Sequence, residues 1–121
     1  METTGQPSAL VISANETLAF TRRKILEAEG FAVTSAMSAE FDVRAVDGIR
    51  FTLLLFGHSV PERHKLAIVK LVDSDSTIEL FARKPILHGV EHCPAFEPEK
   101  LVQLARVCSC RRLNVCANES A

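Results

Sequence analysis

Phe51-Thr52-Leu53-Leu54-Leu55-Phe56 is the most hydrophobic stretch of the chain, and its reading decides the fold. Six residues are too few to span a bilayer, which takes about 20. An unbroken apolar run of this length fits a strand covered on both faces, as the central strands of parallel sheets are. It is therefore expected as the buried middle of a sheet that carries helices on both sides.

Upstream, after a polar leader containing Gly5 and Pro7, Ala9-Leu10-Val11-Ile12 is a second continuous apolar run and reads as the first strand. Asn15 or Thr17 can cap a following helix in which Leu18, Ile25 and Leu26 share a face, and Gly30 supplies a left-handed residue to end it. Phe31 to Thr34 reads as the second strand. A helix is expected from Ala39 to Ile49, with Phe41, Ala45, Val46 and Ile49 on one side and Gly48 near its end.

Downstream, the spacing predicts an amphipathic helix over Glu62 to Val72, with Leu66, Val69 and Val72 in phase and Ile68 beside them. Asp73-Ser74-Asp75-Ser76 reads as a polar turn, Thr77 to Phe81 as the fourth strand and Val90 to Cys93 as the fifth. The residues from Ala82 to Gly89 are fewer than the dozen or so that a parallel crossover usually takes, so either a fourth helix is shortened or absent or the final strand pairs in some other way. The last helix has the clearest local chemistry. Pro98 suits its first turn, Phe96 and Leu101 are placed for a hydrophobic staple, and Leu101, Leu104, Ala105 and Cys108 form one stripe. Cys108 is expected to be buried, and Cys110 and Cys116 more accessible.

Composition narrows the function classes. The 121 residues, 47% hydrophobic, suffice for one core, read as a leader over 1–8, one domain over 9–110 and a tail over 111–121. With 14 Lys+Arg against 15 Asp+Glu the net charge is -1, which offers no footprint for nucleic acid or an anionic membrane. Met1 to Ser8 lacks the basic and apolar regions of a signal peptide, so a soluble cytoplasmic protein with reduced thiols is expected.

The quoted pieces resemble, in their order, the receiver domain of two-component response regulators. They are Ala9 to Ile12, a helix ending in Ile25-Leu26-Glu27-Ala28-Glu29-Gly30 followed by Phe31-Ala32-Val33, then Phe51 to Pro61, then Phe96-Glu97-Pro98-Glu99-Lys100-Leu101. The likeness covers about Ala9 to Val107 and implies a flavodoxin-like parallel sheet of order 2-1-3-4-5. It also implies an acidic pair after the first strand for a divalent cation, a phospho-acceptor Asp after the third, a hydroxyl at the end of the fourth and a Lys at the end of the fifth. Those places hold Ser13 with Ala14, Gly57, Phe81 and Pro94. Ser13 and Ala14 carry no carboxylate for a hard cation, and Gly57 carries no nucleophile. Matching Lys84-Pro85 to the family's Lys-Pro pair instead would strand the piece from Phe96 to Leu101. A degenerate receiver is expected: a docking module with no enzymatic activity, cofactor or metal, acting on a signalling protein or by self-association.

The other chemistry-bearing residues have plainer readings. His88, His92, Cys93, Cys108 and Cys110 are soft ligand types that zinc can use, which makes a small Cys/His metal-binding or redox protein the alternative, although their spacing matches no ligand pattern. His58, with His64 and Glu62 near it in sequence, is the best candidate for proton transfer but lacks a nucleophile or phosphate cradle, and Ser59 has no nucleophile-elbow context. Arg106, Arg111 and Arg112 suit the end of a helix dipole. The expected interaction surface combines Ile86, Leu87 and Val90 as apolar contacts with Arg83, Lys84, His88 and His92 as a polar rim, beside the exposed side of the final helix, because the shortened connection uncovers the sheet there; the equal alternative is that Ile86 and Leu87 fold inward to cap the core.

Overall fold

The computed structural model describes residues 6–46 and 48–113. In chain order its elements are β1 (Ser8–Ser13), α1 (Glu16–Ala28), β2 (Ala32–Met37), two short 3-10 turns (Ser38–Glu40 and Val43–Val46), β3 (Arg50–Phe56), α2 (Glu62–Leu71), β4 (Asp73–Phe81), β5 (Glu91–Pro94) and α3 (Pro98–Leu113). The five strands form one parallel sheet in the order β2-β1-β3-β4-β5. This is the flavodoxin-like order that the resemblance implied, with the parallel pairing that the apolar runs led one to expect. β3 lies at its centre with Phe51 to Phe56 all buried, as a strand covered on both faces must be.

Alternation along the strands divides the core into two layers. Ala9, Val11, Leu53, Leu55, Ile78, Leu80 and Cys93 pack against Leu26 of α1 and Leu101, Ala105 and Cys108 of α3. Leu10, Ile12, Leu54 and Phe56 pack on the other side against Ile68 of α2, Val46 and Leu87. The Leu101, Ala105 and Cys108 stripe faces the core, and α3 runs on to Leu113, past the boundary expected after residue 110. Arg106 bonds Glu29 at the end of α1, 2.7 Å away. The side chains of Cys110, Arg111 and Arg112, and all of Cys116, lie outside the described residues.

Several local expectations are corrected. The helix from Ala39 to Ile49 is replaced by the two 3-10 turns, because Phe41 is extended between them and the Asp42 carboxylate accepts from the Arg44 N–H at 3.0 Å. A side-chain cap of that kind competes with helix propagation. Asp73 to Ser76 is strand rather than turn: Arg50, at the start of β3, binds Asp73 at 2.9 Å through Nη1 and Asp75 at 2.8 Å through Nε. The two carboxylates, two apart on a strand, share one face and a single guanidinium. Phe96 does not staple α3; it is 72% exposed and meets the His58 ring edge-on at 5.1 Å.

The buried faces of two helices also differ from the apolar stripes. α1 turns Ala19, Arg22 and Leu26 inward, and α2 turns Lys65 and Ile68 inward while Leu66 is exposed. In each case a long cation occupies a core-facing position that an apolar periodicity reading skips.

Candidate functional site

The C-terminal edge of the sheet gathers the positions at which the resemblance implied a phosphorylation site. Ser13 closes β1, Ala14 follows it, Gly57 follows β3, and Phe81 and Pro94 close β4 and β5 as partners in register. Ser13 Oγ donates to the Asn15 carbonyl at 2.9 Å and accepts from the Asn15 N–H at 3.1 Å, while Asn15 Oδ1 caps α1 by accepting from the Leu18 N–H. The serine hydroxyl thus helps turn the chain into α1, its single proton committed to the Asn15 carbonyl.

Over Gly57 lies Arg22. A Cβ at position 57 would stand 2.8 Å from Arg22 Nη1, so a side chain there would oblige the end of the arginine to shift, while Ser13 Oγ at 3.5 Å would be in ordinary contact. Arg22 is 4% exposed. Its Nη2 donates to His58 Nδ1 at 3.2 Å, while Nη1 is buried and has no hydrogen-bond partner. Because an arginine can only donate, His58 carries its proton on Nε2. Burial draws the Arg22 pKa below its ordinary value, and burial with the nearby charges of Arg22 and Lys65 draws His58 below its own.

A second buried cation lies under the β4–β5 connection. Lys65 Nζ donates to Glu79 Oε2 at 2.7 Å, with both side chains almost wholly inaccessible. Glu79 also accepts from the Ile86 N–H at 3.0 Å and the Leu87 N–H at 2.9 Å, and His92 Nε2 lies 2.8 Å from the Leu87 carbonyl, to which it donates. Burial opposes the Glu79 charge, but the Lys65 ammonium and the two amides outweigh it and hold the carboxyl below its ordinary range. This carboxylate supplies the acceptors that a crossover helix would have provided for its own amides, and so secures the segment between β4 and β5 without a helix.

The residues expected as an interaction surface divide accordingly. Leu87 is 5% exposed and belongs to the core, and Ile86 and Val90 are half-buried, so the apolar material is turned inward instead of forming an open contact patch. Arg83, Lys84 and His88 are exposed, and His92 is held beneath by Leu87. Among the described residues no three His, Cys, Asp or Glu side chains gather to hold a metal, so the set His88, His92, Cys93 and Cys108 is not brought together as a ligand cluster. His64 Nδ1 is buried without a partner, Glu62 is exposed in the first turn of α2, and no described hydrogen bond joins either to His58.

Sequence reading missed Arg22, Lys65 and Glu79. Signals for two of them were present: Glu79 interrupts the apolar run Ile78-Glu79-Leu80-Phe81, and Lys65 lies in helical phase with Ile68 and Val72.

No family model and no curated protein matches the chain. Among solved structures, the chain is similar to the N-terminal domain of a response regulator/sensory box/GGDEF three-domain protein from Carboxydothermus hydrogenoformans, at 20% identity and a TM-score of 0.65, covering 91% of this chain and 98% of that one. It is also similar to a structure that carries the yeast Spc42 trimeric coiled coil as a fusion, at 18% identity and a TM-score of 0.70, covering 94% of this chain and 83% of that one. At these identities the likeness is one of fold, and the fold is receiver-like. No helix among the described residues is long and apolar enough to cross a membrane.

Proposed function

We propose that this receiver-like fold serves as a signalling module that acts by protein contact and takes no part in phosphoryl transfer. The observation that carries the reading is the Arg22 guanidinium over Gly57: the place after β3 holds no nucleophile, and the end of a cationic side chain lies 2.8 Å from where a Cβ would stand. Ser13 and Ala14 add no carboxylate, so a divalent cation has no hard charged ligand from β1 and meets a positive charge beside it. Phosphoryl transfer needs an acceptor and charge neutralisation at one point, and the residues here supply neither the acceptor nor a metal site.

Contact is assigned to the exposed Arg83, Lys84 and His88 on the β4–β5 connection, which project from a segment pinned from below by Glu79. A pinned backbone presents its side chains with little ordering cost, and three basic types fit an acidic protein surface. Incubation with a small-molecule phosphodonor and Mg²⁺ tests the reading. No base-labile acyl phosphate is expected, and its detection on the chain overturns the proposal. Charge reversal of Arg83 and Lys84 to Glu is expected to weaken partner binding while leaving the thermal midpoint unchanged.

A further inference from the structure

The two edges of the sheet are built differently, and the difference points to what one of them binds. On β5, Ala95 donates its N–H to Phe81 O of β4, so by alternation Cys93 also faces β4 while His92 and Pro94 face outward. That edge is four residues long, offers one outward N–H, and ends on a proline, which is how sheets block the addition of another strand.

On β2, Ala32 donates its N–H to Pro7 O on the β1 side, so Ala32, Thr34 and Ala36 face β1, and Val33, Ser35 and Met37 turn their N–H and C=O groups outward. Among the described residues no hydrogen bond joins these six outward groups to any other group. The strand, Ala-Val-Thr-Ser-Ala-Met, has no charge, no proline and no fully buried residue. None of the usual guards of an edge is present. Beside it, on the α1 side, runs a groove bordered by Phe20, Ser35 and Met37 and by the charged Glu16, Arg23 and Glu40, with Phe20 61% exposed.

We infer that β2 pairs antiparallel with β2 of a second copy of this chain about a twofold axis through Ser35, joining the two sheets edge to edge. The register follows from the strand itself. An antiparallel pair places opposed residues on the same face, so a symmetric pairing must be centred on a residue, not between two. Centring on Ser35 opposes Ser35 to its own copy and Val33 to Met37 of the other, which makes all three outward residues hydrogen-bonded pairs and satisfies all six groups on each strand. Centring on Thr34 would leave Met37 unpaired. The same register sets Val33 against Met37 twice on the α1 face and Thr34 against Ala36 twice on the other, with no like charges opposed within the strand pair. It also brings the two Phe20-bordered grooves to the seam, where a partner can cover the exposed rings. The inference does not depend on the absence of phosphotransfer.

Sedimentation of the full chain, with thermal melts as a check on folding, tests it. The native chain is expected to dimerise at protein concentrations below roughly 100 µM. Ser35→Pro removes one outward N–H from each copy while sparing the β1 ladder and is expected to raise the dimer dissociation constant about tenfold or more. Ser35→Lys, at an exposed position that leaves the fold intact, sets like charges opposite one another and is expected to weaken association several-fold. Ser35→Thr retains it, and Glu91→Lys on the far edge leaves it unchanged. A monomeric native chain overturns the inference, as does a dimer insensitive to both Ser35→Pro and Ser35→Lys, or one dissociated by Glu91→Lys instead.

Discussion

Lys65 and Arg22 are both long cations drawn into the core from helices on opposite faces of the sheet, yet they are treated in opposite ways. Lys65 meets a carboxylate, Glu79, whose remaining acceptor capacity is taken by two backbone amides. Arg22 meets only a neutral imidazole and leaves Nη1 without a partner. A buried charge is tolerated when its hydrogen-bonding capacity is satisfied and is costly when it is not. The Lys65 network therefore holds the β4–β5 side together, whereas the Arg22 guanidinium is buried with its bonding capacity only partly satisfied.

Deletion of one partner of the satisfied pair is expected to have the largest effect. Glu79→Leu leaves Lys65 buried and uncompensated and frees the Ile86 and Leu87 amides; a loss of about 3–5 kcal/mol is expected in denaturant titrations. The double variant Glu79→Leu with Lys65→Met removes the stranded charge and should recover part of that loss. If the single variant costs less than about 1 kcal/mol, the network does not anchor the connection.

Next in size is Gly57→Ala. Its Cβ would meet Arg22 Nη1 at 2.8 Å, and because only the end of a flexible side chain must shift, the cost should lie at the low end of overpacking, about 1 kcal/mol. Because the obstacle is the guanidinium, the cost should shrink in an Arg22→Met background, and additive losses would show that the backbone at Gly57 matters for some other reason.

A smaller effect belongs to acid. His58 is held below its ordinary pKa of 6.5 by burial and by Arg22 and Lys65, so the unfolded chain binds this proton more readily than the native one. Its contribution to stability is complete above 6.5 and is lost as pH falls below it toward the lower native value. Glu79, held below 4.5, contributes above that value and loses its contribution as pH falls through its native pKa. A stability profile with an upper and a lower acid step is expected, and His58→Asn, which keeps an acceptor for Arg22 without the titration, should erase the upper step alone.

Least is expected of Arg22→Met. Replacing an incompletely bonded buried guanidinium by an apolar side chain should change stability by no more than about 1 kcal/mol, or raise it. A loss as large as that of Glu79→Leu would put the two cations on the same footing and dissolve the comparison.

Much of the scaffold was legible because unbroken apolar runs announce doubly covered strands. Ala9 to Ile12 and Phe51 to Phe56 yielded β1 and β3, the shortness of the Ala82 to Gly89 stretch yielded the missing fourth helix, and the strand ends placed Ser13, Ala14 and Gly57 at one edge of the sheet. Asp73 to Ser76 misread as a turn because Asp and Ser usually mark turns, whereas here Arg50, distant in sequence, joins both carboxylates. The span from Ala39 to Ile49 misread as a helix because apolar spacing alone does not register the Asp42 cap that interrupts it.

Runs and lengths in the sequence indicated the two buried strands, the parallel alternation of strands and helices and the short link before β5, while the strand order came from the resemblance to receiver domains. Only the tertiary structure decided that Arg22 fills the space over Gly57, that Lys65 and Glu79 hold the β4–β5 connection and draw Leu87 into the core, and that β2 is left with an open edge. The reason is physical. A Lys, Arg or Glu in helical or strand phase looks the same in sequence whether it faces solvent or core, and its burial depends on partners brought from other elements: His58 for Arg22, Glu79 for Lys65, and for Glu79 the amides of Ile86 and Leu87.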